Sequence, residues 1–170
     1  MIEIQIKEIV ENLIDTFVNA GEISINLRKD GLTKEIKSDN TPVSNGDLEV
    51  NKIVTKKLRE LTPKIPIISE ETPDNKLTKD LRNFWLVDPI DGTYDYINNL
   101  DEFTINAGLI LDQKPAAGLI YAPAKKRMFF SYGDNQAFEI TNGKKMKLEG
   151  SKKFNKDQIK FVSYSNKIKP

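Results

Sequence analysis

The sequence has no cysteine and no histidine among its 170 residues. Without cysteine there is no disulfide framework, no thiolate nucleophile and no thiolate-bound zinc, which fits a reducing compartment such as the cytoplasm. The missing histidine excludes more. A Ser-His-Asp triad, an imidazole general base, a phosphohistidine and the usual zinc sites are all out of reach. Any catalysis must run on carboxylates, hydroxyls, lysines and hard oxygen-bound cations, which narrows the metal to Mg²⁺, Mn²⁺ or Ca²⁺. No stretch approaches the roughly 20 apolar residues of a transmembrane helix, and the polar, acidic start Met1-Ile2-Glu3-Ile4-Gln5 does not read as a signal peptide. The formal net charge is only +1, so no basic excess points to nucleic acid or an anionic membrane. The lysine pairs at 125–126, 144–145 and 152–153 read as solvated turns.

What is present is an ordinary globular composition, 38% hydrophobic and 30% charged, long enough for one domain with its own core. Apolar residues Ile6, Ile9, Val10, Leu13, Ile14, Phe17, Val18, Ile23 and Leu27 recur at three- and four-residue steps before Gly31, predicting a long amphipathic helix with a core-facing stripe. Lys37 to Asp47 is polar and proline-broken, a loop feeding a second helix capped by Ser44. Leu48, Val50, Ile53, Val54, Leu58 and Leu61 are expected on its buried face. Asp47 lies three residues after Ser44, so on spacing alone it is a capping-box residue.

Ile65 to Ser69 predicts a short buried strand that stops at Glu70-Glu71. Asp74 to Arg82 reads as a connector. Phe84 to Val87 predicts a second strand, ending in Asp88-Pro89-Ile90-Asp91-Gly92-Thr93. Adjacent acids on a loop are usually solvated, but two strands ending in acids change the expectation, because clustered carboxylates repel unless a cation holds them. Thr93 is expected to cap a helix through Ile97, aiming the Gly92 and Thr93 amides at an anion. Beyond Asn98-Asn99, strands are expected at 103–111, 116–121, 128–132, 137–140 and 144–148, with Asn142-Gly143 as a hairpin turn, and one more at 159–165. The fold class is therefore α+β, two N-terminal helices packed on a largely antiparallel meander sheet.

Mg²⁺ takes oxygens in an octahedron, often two carboxylates plus substrate phosphate, and Asp88 with Asp91 supplies such a pair, with Glu70 completing a first site. The three-residue spacing argues against a phosphoaspartyl enzyme, whose acids are two apart, and the acids do not alternate as in an EF-hand.

Taken together, Lys37-x-Asp39-x-Thr41-Pro42-Val43-Ser44-x-x-Asp47, Ser69-Glu70-Glu71 and Asp88-Pro89-Ile90-Asp91-Gly92-Thr93 resemble the inositol monophosphatase superfamily of Mg²⁺-dependent, lithium-sensitive phosphatases. Glu102 to Asn106 and Gly118 to Pro123 look more like its 3'(2'),5'-bisphosphate nucleotidase branch, which serves sulfate assimilation, than its inositol branch. The resemblance implies the first half of a layered αβαβα fold. It implies that Glu70, Asp88 and the Ile90 carbonyl hold one Mg²⁺ and that Asp88 and Asp91 hold a second. Two or three Mg²⁺ are expected in all, with Mn²⁺ as a substitute and Li⁺ as an inhibitor.

By the same resemblance Asp47 and Thr93 are catalytic, orienting and deprotonating the attacking water, with Glu70 beside them, and the Gly92 and Thr93 amides receive phosphate. The odds on Asp47 thereby turn from cap toward catalysis. The branch carries Lys-Glu-Phe after the threonine where this chain has Tyr94-Asp95-Tyr96. The family continues into a second α/β domain whose Trp-Asp motif supplies another metal ligand, and the only tryptophan here is Trp85. Residues 1–155 are thus expected to form the metal-binding phosphatase domain and 156–170 the start of a truncated second domain. The expected substrate is a small phosphorylated molecule, a nucleotide bisphosphate or a sugar phosphate. The expected protein partner is a second copy of the chain or a complementing C-terminal half, the other outcome being a non-catalytic metal-binding fragment.

Overall fold

The computed structural model describes residues 2–36, 42–71 and 81–150. Helix α1 (Ile2–Asp30) and helix α2 (Asn45–Leu61) pack on one face of a seven-stranded sheet formed by β3 (Ile67–Ser69), β4 (Phe84–Asp91), β5 (Thr104–Leu111), β6 (Lys114–Ala122), β7 (Arg127–Tyr132), β8 (Ala137–Thr141) and β9 (Lys144–Lys147), in that order. Among the described strands only the β3–β4 pair is parallel. A two-stranded hairpin, β1 (Lys34–Ile36) with β2 (Pro42–Ser44), precedes α2, and the short helix α3 (Thr93–Ile97) follows β4.

The buried spine of α1 is Ile6, Val10, Leu13, Phe17 and Ala20, which meets Val50, Val54 and Leu58 of α2 and the inward residues Trp85, Val87, Ile105, Leu109, Leu119 and Met128 of the sheet. Burying this set is the main stabilising contribution, at about 25 cal/mol per Å² of apolar surface removed from water. Past Gly21 the spine leaves the predicted Ile23 and Leu27 and runs through Ser24 and Ile25. Gly21 packs directly on the Tyr121 ring, where any side chain would collide. Gly31 stops the helix with φ +117°, its amide donating to the Leu27 carbonyl.

Several expectations change. Pro42 to Ser44 is a strand rather than a loop, because β1 supplies it with an antiparallel partner. Leu48 is 53% exposed, since its position in the first turn of α2 lies outside the stripe set by Val50, Val54 and Leu58. Strand β4 runs on through Asp91 rather than ending at Val87, because β5 pairs with it at both Asp88 and Asp91. The expected strands at 103–148 are all present within two residues, and Asn142 and Gly143 take φ +50° and +72° at the β8–β9 turn. The expected loop at 37–41, the connector at 74–80, the strand at 159–165 and the domain start at 156 fall outside the described residues.

Tyr96 links three elements. Its Oη donates to the Ser24 carbonyl of α1 at 2.7 Å, its ring lies 4.9 Å from that of Phe103, and it presses against Gly46 at the start of α2. A Cβ on Gly46 would come within 2.7 Å of the Tyr96 ring carbons as well as meeting the hydroxyl. Gly46→Ala is therefore expected to destabilise the chain by about 1–3 kcal/mol, the usual cost of overpacking. Urea unfolding would measure it, and a loss below about 0.5 kcal/mol would show that the ring has room to move.

Candidate metal and phosphate site

The site lies where β3 and β4 end and where β5, α2 and α3 begin. The parallel ladder carries the chain past Ser69, so that the Glu70 amide donates to the Val87 carbonyl at 3.1 Å and places Glu70 beside Asp88. The Ser69 hydroxyl donates to Asn51 Oδ1 at 2.7 Å, tying this strand end to α2.

Asp88 and Asp91 are an odd number of residues apart, which in a regular strand would send them to opposite faces. They do not diverge. Asp88 pairs with Asn106 and Asp91 with Thr104, so three steps along β4 match two along β5. Asn106 and Thr104 share a face, hence so do the two aspartates. This irregularity, built over buried Pro89 and Ile90, is a β-bulge that re-aims a side chain.

Asp47 combines both roles considered for it. Oδ2 accepts from the Ser44 amide at 2.8 Å and the Ser44 hydroxyl at 2.5 Å, closing the capping box, while Oδ1 accepts from Thr93 Oγ1 at 3.1 Å. Thr93 Oγ1 is also 2.9 Å from the Ile90 carbonyl. A hydroxyl has one proton, so a bond to Asp47 leaves the Ile90 carbonyl available to another partner. Thr93 does not cap α3. The N-cap is Gly92, with φ +97° and ψ 37°, and Thr93 is the first helical residue, its hydroxyl engaged elsewhere.

The carboxylates disturb one another. Asp88 is pushed up from 3.8 to about 7, first by burial, then by the charges of Glu70 and Asp91, a hydrogen bond with Glu70 and the charge of Asp47. Its Oδ1 is buried without a hydrogen-bond partner, and so is Asn106 Oδ1. Unmatched buried acceptors amid negative charge suit a hard divalent cation bound through oxygens. Among the described residues no three acidic side chains form a ready-made metal cage; mutual repulsion opposes such a cage in the absence of a cation. A groove of about 360 Å³ runs along Glu70, Asp88 and Asn106, and a hollow of about 500 Å³ opens beside Asp91, Gly92, Tyr94, Glu102 and Lys125.

Glu70, Asp88, Ile90, Asp91, Asp47, Gly92 and Thr93 are thus brought to one end of the sheet. Sequence reasoning passed over Asn51 and Asn106. The second carried a signal, being an amide in the otherwise apolar run Ile105 to Leu111.

The inositol monophosphatase family model matches residues 5–168. The 3'(2'),5'-bisphosphate nucleotidase CysQ of Aggregatibacter actinomycetemcomitans is 35% identical over 142 residues, 82% of this chain and 53% of the relative. The chain spans about half the length of the curated relatives it matches. CysQ from Bacteroides thetaiotaomicron, a solved structure, is 31% identical with a TM-score of 0.62 over 76% of this chain and 47% of that one. An IMPase/NADP phosphatase complexed with Mg²⁺ and phosphate shares the fold, with a TM-score of 0.69 at 21% identity over 82% of this chain and 52% of its own. The α+β architecture and a family match that runs nearly from end to end agree: the chain belongs to the inositol monophosphatase family.

Proposed function

We propose that the chain carries the metal-binding half of a Mg²⁺-dependent phosphomonoesterase, with 3'-phosphoadenosine 5'-phosphate as its substrate and AMP as the product. The reading is carried by Asp47, Glu70, Asp88 and Asp91 meeting at one sheet edge, with a buried Asp88 oxygen that lacks a partner. Glu70, Asp88, Asp91 and the Ile90 carbonyl would hold Mg²⁺, which supplies charge stabilisation at the phosphoryl group. The Thr93 hydroxyl and Asp47 then form a proton path: Asp47 accepts from Thr93, and Thr93 accepts from a water aligned for attack on phosphorus. Asp47 is held in place by its second oxygen, which the Ser44 cap occupies. The Gly92 and Thr93 amides, at the start of α3, would face the phosphate. Exposed Tyr94 stands beside the 500 Å³ hollow, where a nucleoside would find an aromatic face.

The preference for a nucleotide bisphosphate rests on the CysQ relatives, which are the more similar in sequence. The alternative, a sugar phosphatase of the inositol type, has the same cation chemistry. Phosphate release with Mg²⁺ from 3'-phosphoadenosine 5'-phosphate should exceed release from inositol 1-phosphate by about tenfold or more, a difference of roughly 1.4 kcal/mol in transition-state binding. The reverse order would reject the substrate and keep the chemistry. Mg²⁺ binding with no release from either substrate would favour a non-catalytic metal-binding half, a reading to which the exposed Leu86 and Ile120 on the helix-free sheet face lend some support as a docking surface.

A further inference from the structure

Asn106 is the cross-strand partner of Asp88, yet its amide nitrogen reaches diagonally to Asp91 Oδ2 at 3.0 Å. Ionised carboxylates only accept, so it must be the NH₂ group of Asn106 that faces Asp91. The carbonyl oxygen is then fixed on the other side of the amide, and it is buried with no donor in reach. Its neighbour Asp88 has an oxygen in the same condition, and both residues line the 360 Å³ groove with Glu70. A buried amide oxygen without a donor is costly, and a leucine or valine of similar size would suit an apolar strand such as Ile105 to Leu111 better. Folding alone does not account for an amide at this place. Direct cross-strand partners lie with Cβ atoms about 4.5–5.5 Å apart, close enough for one cation to serve both orphaned oxygens.

We propose that Asn106 is a positioning residue of the cation site. Its NH₂ group fixes the carboxylate of Asp91, and its carbonyl adds a neutral oxygen beside Asp88 that a divalent cation would satisfy. A neutral oxygen at this point adds a ligand without adding to the repulsion among four acids. The inference rests on the cation reading of the site but not on the choice of substrate.

Mn²⁺ titration of the full chain by calorimetry at pH 8, alongside thermal melts without metal, tests it. Asn106→Leu is expected to weaken Mn²⁺ binding about 10–100-fold, the range for losing an outer-shell partner, while the metal-free melting temperature holds or rises. Asn106→Asp keeps an oxygen but loses the donor to Asp91. It should bind Mn²⁺ more tightly than Asn106→Leu and melt below the native chain without metal, since it adds a fifth carboxylate. Asn106→Ser, smaller and still polar, gives the same comparison if the leucine variant does not fold. A purely structural asparagine predicts the opposite pattern, with a lower melting temperature for Asn106→Leu and Mn²⁺ affinity within about twofold of native; that result overturns the proposal. A native chain that binds no Mn²⁺ would overturn the cation reading itself, and the role of Asn106 with it.

Discussion

Gly92→Ala should be among the most damaging single substitutions in the chain, removing about 2–5 kcal/mol of stability together with the site. The left-handed backbone at φ +97° costs an L-residue roughly 1–2 kcal/mol by itself. The added Cβ would also sit 2.7 Å from the Glu102 carbonyl oxygen and 3.3 Å from the Phe103 Cα, both backbone atoms that cannot swing aside. Overpacking of this kind adds about 1–3 kcal/mol. Relief requires the β4–α3 turn to open, which draws Thr93 away from Asp47. Gly143 is the control: its φ is +72°, but nothing lies within 4 Å, so Gly143→Asn should cost far less. Urea unfolding of the two variants would decide, and a Gly92→Ala loss no larger than that of Gly143→Asn would mean the turn is not held against Glu102 at all.

The second large effect is one of opposite signs. In the metal-free chain, Asp88 holds its proton up to about pH 7 when folded, whereas the unfolded chain releases it near 3.8. Between those values the folded state binds more protons, so stability falls as pH rises through the window, and above about 7 the whole penalty is present. Asp88→Asn removes it. At pH 8 without metal the variant should be more stable by about 1–2 kcal/mol, a figure reduced to allow for water's partial access to this half-buried group. For a chain of this size that is a melting temperature higher by roughly 2–8 °C. Saturating Mg²⁺ should reverse the order, raising the melting temperature of the native chain and leaving the variant nearly unmoved. The advantage should vanish near pH 4. A variant that is less stable than native at pH 8 without metal would show that Asp88 is needed for packing rather than for charge.

These two residues also mark how far the sequence could be read. Glu70, Asp88 and Asp91 were legible as a cluster because two apolar strands each ended in acids in a chain without histidine. That Asp88 and Asp91 share a face was not legible. It depends on a register slip against Thr104 and Asn106, more than a dozen residues away, and strand spacing alone puts them on opposite faces. Thr93 as a helix cap failed for a related reason. Its hydroxyl finds a better partner on Asp47, 46 positions earlier, and local capping rules do not see such a competitor.

The fold was more open to reading, since periodicity is local. Val50, Val54 and Leu58 fell at helical spacing, and β5, β6 and β7 alternate inward and outward residues as a half-buried meander must, whereas β9 is exposed throughout. Leu48 failed because one apolar residue in a first turn does not extend a stripe. The β1–β2 hairpin was hidden because Lys34 to Ile36 is exposed throughout and carries no apolar alternation. The family motifs reach further than patterning does, naming Asp47 and Thr93 as a pair across 46 positions.

The way α1 is held has a kinetic consequence. Helix α2 covers part of this helix early, but its other partners come from much later in the chain: Tyr96 meets Ser24, Tyr121 covers Gly21, and Lys145 Nζ reaches Glu11 Oε1 at 2.9 Å across 134 positions. A nascent chain stalled before β6 and β7 would carry α1 with only part of its apolar stripe covered, chiefly by α2. Loop closure over such distances precedes any reward from contact, so docking of α1 should be slow and should follow completion of the central strands. In a cell, the interval between the making of α1 and its docking is when this chain most needs a chaperone.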